Sequence, residues 1–161
     1  MKKEPSVFVH RKDLPFGDWV YASPPLDNTS ANFTCENCQH AHIRFVHPLK
    51  HKRTGQIIKV GCVCAEHFLQ DFTNPKLREN ELKNYVGRRL RWPDFNWTWT
   101  QKGNLKLKKK GFIVVVRRVE SGWWLTSYTR DGNSEWTPVQ GRYKTPQEAK
   151  LAAFDALFPP G

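Results

Sequence analysis

The sequence predicts an α+β protein of two small modules, a cysteine-bearing one followed by an antiparallel sheet with a packed C-terminal helix. Three observations lead there. Cys35/Cys38 and Cys62/Cys64 flank a stretch rich in strand-forming residues. Residues 95–139 break into short alternating runs separated by glycine turns. Thr145-Pro146-Gln147-Glu148 opens an alanine-rich run as a capping box, a helix start signal. A hydrophobic share of 39% over 161 residues is low for one filled core and suits two modest modules, one of them stapled.

Residues 1–30 read as an N-terminal extended segment, with one weak strand at Val7, Phe8 and Val9 and loops around Pro15, Pro24 and Pro25. Met1-Lys2-Lys3-Glu4-Pro5 has no apolar run behind its lysines, so no secretion signal is expected. No apolar stretch approaches the roughly 18 residues of a membrane span. The expected location is therefore the reducing cytoplasm, where cysteines are metal ligands more often than disulfides.

Residues 31–72 form the cysteine module. Cys35-x2-Cys38 is a knuckle in which two thiolates on a tight turn can face one ion at about 2.3 Å. His42 to His47 and Gln56 to Val60 read as the strands of a hairpin turning at Gly55. Ala65 to Phe72 then reads as a helix, with Phe68, Leu69 and Phe72 on one face. Knuckle, hairpin and helix, with ligands at the helix start, is the order of a treble-clef zinc finger around one structural Zn2+. The helix N-terminus also favours thiolates there. Cys62 and Cys64 supply the two remaining ligands, giving a closed set of Cys35, Cys38, Cys62 and Cys64. Alternatively Cys64 and His67, at i and i+3, bind together and leave Cys62 outside.

Phe33-x-Cys35-x2-Cys38, Ile43-Arg44-Phe45-Val46-His47 and Val60-Gly61-x2-Cys64-Ala65 resemble a group of small, largely uncharacterised bacterial and phage treble-clef proteins with a C-x2-C … V-G-x2-C pattern. The resemblance covers residues 33–72 and implies a zinc-stabilised fold without a fixed activity. In that pattern the position of Cys62 need not be cysteine.

Residues 73–92 are a basic linker helix. Asn74-Pro75 supplies an N-cap followed by proline at the first helical position, and Pro93 ends the helix. Residues 93–161 are the sheet-plus-helix module. Phe95 to Trp99, Leu105 to Lys108, Phe112 to Val119, Trp123 to Tyr128 and Glu135 to Val139 are its expected strands, with Asp131-Gly132 as a hairpin signal. On the final helix Ala149, Ala152, Ala153, Phe154 and Leu157 make a narrow apolar stripe suited to a sheet.

Lys and Arg number 26 against 15 Asp and Glu, a net charge of +11. Residues 73–111 alone carry 11 basic and 3 acidic groups, net +8. Charge concentrated in this way attracts polyanions, so DNA or RNA is the expected partner. Three surfaces are candidates. The linker helix offers Lys76, Arg78, Lys83, Arg88, Arg89 and Arg91 to phosphates. Trp92, Phe95, Trp97 and Trp99 beside basic residues could stack on bases, although alternate tryptophans on a strand more often form a core. The C-terminal module, with Lys106, Lys108, Lys109 and Lys110 on its second strand and turn, is loosely similar to the β-β-β-α DNA-binding modules of AP2-type and integrase amino-terminal domains. That resemblance implies an open sheet face in the major groove but specifies no base-reading residues. Arg117, Arg118, Trp124 and Arg130 are the candidates for that face, although strict alternation along Phe112 to Val119 puts Arg117 and Arg118 on opposite sides.

No phosphate loop, nucleophile elbow or zinc-protease string is present, so no catalytic residue is assigned and an enzyme is not expected. The alternatives to a nucleic-acid-binding accessory protein are an adaptor for an acidic protein and, second, a metal-dependent nuclease built on His42, His47 and His51.

Overall fold

Alternating apolar residues become strands and 3.6-residue stripes become helices in an α+β chain of three helices and two antiparallel sheets. The computed structural model describes residues 8–160. The chain divides into two compact units, Met1–Asn84 and Tyr85–Gly161. Met1 to Pro5 and Val7, read above for a leader and a strand, lie outside the described residues, while Phe8 and Val9 form no strand.

In the first unit β1 (Trp19–Tyr21), β2 (Leu26–Asp27) and β4 (Ile57–Val60) each pair antiparallel with β3 (Phe45–His51). Strands β3 and β4 form the expected hairpin, although β3 begins only at Phe45: His42 is left-handed at φ 60°, Ile43 bridges to Phe33 and the chain bends at Arg44. Alternation on β4 buries Ile58 and Val60 and exposes Ile57 and Lys59. Helix α1 (Cys62–Leu69) starts three residues before the expected span and stops at Gln70, φ 52°, which leaves Phe72 exposed. Leu14, Trp19, Leu49, Ile58, Val60 and Phe68 form the core, and Cys35 and Cys64 are embedded in it. Helix α2 (Asn74–Arg91) has its N-cap one residue earlier than expected: the Thr73 carbonyl accepts from the Leu77 N–H, and the Asp71 carboxylate accepts from Thr73 and Asn74 at 3.0 Å each.

In the second unit a 3-10 turn, Trp92–Asp94, precedes a meander of β5 (Thr98–Trp99), β6 (Leu105–Lys109), β7 (Phe112–Arg118), β8 (Trp124–Arg130) and β9 (Thr137–Pro138). Lys110 and Gly111, at φ 52° and 77°, form the two-residue turn between β6 and β7. The first and last strands are shorter than expected. Phe95 and Trp97 fold into the core, so only Thr98 and Trp99 remain in β5.

Register sorts the sheet's faces. Leu105 opposite Val116 and Leu107 opposite Val114 point to one side and are buried. Helix α3 (Pro146–Leu157) packs on that side through Ala149, Ala153 and Phe154, the small alanines allowing close approach. Its capping box is present, with Thr145 Oγ1 accepting from the Glu148 N–H at 3.2 Å. No helix among the described residues is long and apolar enough to cross a membrane.

Candidate functional site

The knuckle is built by local backbone geometry. The Cys35 N–H donates to the His40 carbonyl, the Gln39 N–H donates back to Cys35, and Gln39 itself lies at φ 60°. The chain therefore reverses just after Cys38. Across from it, Gly61 leads into α1 and packs closely on Ile43: a Cβ there would sit 3.0 Å from Ile43 Cδ1, so a larger residue would require that side chain to shift.

Cys35, Cys38 and Cys64 converge, their sulfur atoms all within 4.8 Å of one another. The Cys64 thiol donates to Cys35, and the backbone amides of Cys38, Gly61 and Asn37 add to that bond, holding the Cys35 thiol below the ordinary value. Giving up its hydrogen to Cys35 pushes Cys64 up. The Asn37 side-chain amide, buried and tied to the Val9 carbonyl, donates to Cys64 Sγ at 3.3 Å. Donors gathered around sulfur stabilise thiolate charge, which is what a thiophilic cation requires.

The expected four-ligand set does not come together. Residues two apart on a helix project about 200° apart, so Cys62 turns away from the knuckle when Cys64 faces it. His67, the alternative, stacks its ring on Phe8 at 4.0 Å and meets Phe72 edge-on at 5.1 Å. Among the described residues no fourth His, Cys, Asp or Glu joins the three cysteines.

Cys62 instead joins His47 and Glu79, again with ligand atoms within 4.8 Å of one another. The His47 side chain is fully buried. Its Nε2 donates to Glu79 Oε2 at 2.9 Å, and its Nδ1 lies 2.9 Å from the Tyr21 hydroxyl. Lys83 pairs with the other Glu79 oxygen at 2.6 Å. Burial, reinforced by the Glu79 charge, pushes the Cys62 thiol up to about 12. Both groups have donors suited to a metal ion, and both border one cleft of about 710 Å³, through Cys38 and Cys64 on one side and Cys62 and Glu79 on the other. Sequence reasoning missed Asn37, Tyr21 and Glu79, which no spacing rule connects to the cysteines.

The three histidines of the nuclease alternative do not assemble. His42 is exposed, His51 is buried against Trp19 with Nδ1 engaged by Thr54, and only His47 enters a metal-capable group.

The basic residues also differ from expectation in placement. Within the first unit Arg78 covers the Tyr21 ring at 4.5 Å and Lys83 is held by Glu79, leaving Lys76 exposed on the helix. Within the second unit Arg89 makes a bidentate pair with Asp155 at 2.7 and 2.8 Å, and Lys108 pairs with Asp131. Arg88, Arg91 and Lys110 instead surround an apolar dimple formed with Phe95, Phe154 and Phe158, and Lys109 lies 3.3 Å over the Phe95 ring. Trp92 is 2% exposed and belongs to the core, as does Trp97 in part, whereas Trp99 is 66% exposed.

Of the four residues expected on the open sheet face, only Arg117 is there, in the row of Val115 and Lys106. Arg118, Trp124 and Arg130 share the register of Val114 and Val116, the side that α3 covers. The error is one of parity: adjacent residues on a strand point to opposite faces. No protein-family model, curated protein or solved structure matches the chain.

Proposed function

We propose that this chain is a zinc-stabilised nucleic-acid-binding protein, in which Cys35, Cys38 and Cys64 hold a structural zinc and the second unit supplies the binding surface. The zinc-bearing part reads as a treble clef: knuckle, the β3–β4 hairpin, then α1 with its ligand in the first turn. Three protein ligands leave one position to water or another donor.

The observation that carries the binding reading is unneutralised charge. The second unit has 14 Lys and Arg against six Asp and Glu, net +8. Among the described residues, only Arg89 and Lys108 of those 14 form salt bridges. Arg88, Arg91, Lys109 and Lys110 cluster where Phe95 and Phe158 present aromatic rings. Cations tracking a phosphate backbone beside aromatics is the chemistry of single-strand binding. DNA and RNA share that chemistry, so both belong in the test.

The experiment is fluorescence anisotropy with labelled single- and double-stranded DNA and RNA over a salt series. Each phosphate contact contributes about 0.7 to the slope of log K against log salt on single strands and about 0.9 on duplex. Replacing Arg88, Arg91 and Lys110 together with Gln should lower that slope by about 2 to 3 without altering the fold. Absence of binding, or a salt-independent affinity, refutes the reading; salt-insensitive capture of an acidic protein would favour the adaptor.

A further inference from the structure

We infer that His47, Cys62 and Glu79 form a second zinc site, separate from the three-cysteine group and open to the cleft they share. The inference goes beyond the nucleic-acid-binding reading and does not depend on it.

Three different elements deliver the donors: His47 from β3, Cys62 from the first residue of α1 and Glu79 from α2. Nitrogen, sulfur and carboxylate oxygen are the three donor types that zinc accepts. A fully buried imidazole facing a carboxylate and a thiol, with all ligand atoms inside 4.8 Å, is an expensive arrangement to maintain for packing alone. Leucine or phenylalanine in place of His47 would fill the volume without needing partners.

Other readings of the trio fit less well. A thiol nucleophile activated by histidine has its sulfur hydrogen-bonded to a ring nitrogen, and no such bond is present. Here Nε2 is engaged by Glu79 and Nδ1 by Tyr21. A plain His–Glu ion pair does not account for the cysteine beside it.

The shell around the trio matches what a bound ion requires. When Nε2 gives its lone pair to the metal, its proton moves to Nδ1, and the Tyr21 hydroxyl oxygen 2.9 Å away is placed to accept it. Such an outer partner fixes tautomer and ring orientation. Lys83 occupies only Glu79 Oε1, leaving Oε2 for coordination. The Cys62 thiol loses its proton to solvent on binding, as any zinc-bound cysteine does. Three protein ligands leave a fourth position, and because Cys62 and Glu79 line the cleft that position faces open space. As at the three-cysteine group, that fourth position is open to water or another oxygen donor.

Metal stoichiometry of the full chain tests the assignment. The protein is loaded with zinc, freed of loose metal, and weighed by native mass spectrometry. Wild type should carry two ions, and Cys62→Ala and Glu79→Gln one each. With cobalt as the probe, wild type has four cobalt–sulfur bonds, so Cys62→Ala should lose about a quarter of the thiolate charge-transfer absorption. Tyr21→Phe should keep both sites but bind the second ion about 10–100-fold more weakly. Glu79→Gln keeps the side-chain shape, so it reports even if Cys62→Ala misfolds.

One ion in wild type that both variants retain overturns the proposal, as does a count of two that neither variant lowers. An ion lost in Cys62→Ala but kept in Cys38→Ser supports it while removing the three-cysteine zinc. The two claims therefore fail separately.

Discussion

Replacing Trp92 separates a core role from a base-stacking role. Its ring meets Phe95, Trp97, Phe154 and Phe158 at centroid distances of 5.8, 6.2, 5.4 and 5.8 Å, and it is the largest fully buried side chain in its unit. Trp92→Ala should cost about 3–5 kcal/mol, the range for emptying an aromatic site in a core. A domain this small loses roughly 4–8 °C for each kcal/mol, so the unit's melting temperature should fall by about 12 °C or more. Trp92→Phe should behave very differently. The indole N–H is buried without a hydrogen-bond partner, a state that costs about 1–3 kcal/mol. Phenylalanine gives up some volume but removes that orphan donor, so the net change should stay within about 1.5 kcal/mol. The assay is calorimetry of the full chain together with oligonucleotide affinity. Core packing predicts a large loss for alanine, a small one for phenylalanine and unchanged affinity for the latter. If Trp92→Phe is as damaging as alanine, the argument from the unpaired N–H fails. If it leaves stability intact but weakens binding, Trp92 touches the nucleic acid.

Two further outcomes follow from helix ends. Thr145→Ala removes the acceptor of the capping box on α3 and should destabilise the second unit by about 1 kcal/mol, measured by thermal denaturation; no change would mean that Glu148 alone satisfies the end. Asp71 is held below the ordinary carboxylate value, first by the Asn74 N–H and then by that of Thr73. A depressed folded-state value means that its stabilisation is full above the unfolded value near 3.8 and is lost as pH falls through the lower folded one. Protection of the Thr73 and Asn74 amides, corrected for the intrinsic pH dependence of exchange, should therefore fall below about pH 4 in wild type and show no acid step in Asp71→Asn. An identical step in both would assign the transition to another group.

Local chemistry made much of this chain legible. The capping box of α3 and the apolar stripe behind it follow from residues within a few positions of one another. So do the alternation of Leu105, Lys106, Leu107 and Lys108 and the hairpin of β3 and β4. What escaped was set by distant partners. Strands β1 and β2 are three and two residues long and exist because β3 offers them an edge. Trp92, Phe95 and Trp97 carry an alternating strand signal in part, yet their rings are gathered by Phe154 and Phe158 of the C-terminal segment. Arg117 and Arg118 are neighbours in the sequence, and the pleat sends them to opposite faces, as alternation requires.

The cysteines show how far spacing can be pressed. Cys35 and Cys38 converge because a knuckle turn brings residues three apart to one side. The same reasoning fails for Cys62-x-Cys64, since the backbone there is already helical and a two-residue step reverses the direction of the side chain. That reversal need not waste the second thiol. With Cys64 turned to the knuckle, Cys62 is carried toward His47 and Glu79, residues 15 positions before it and 17 after it in the chain. A single dipeptide step at the start of α1 thus distributes two sulfurs between two groups along one cleft. On a helix, two ligands that share one ion need to be three or four residues apart, so the observed interval of two is the physical reason that Cys62 and Cys64 join different groups.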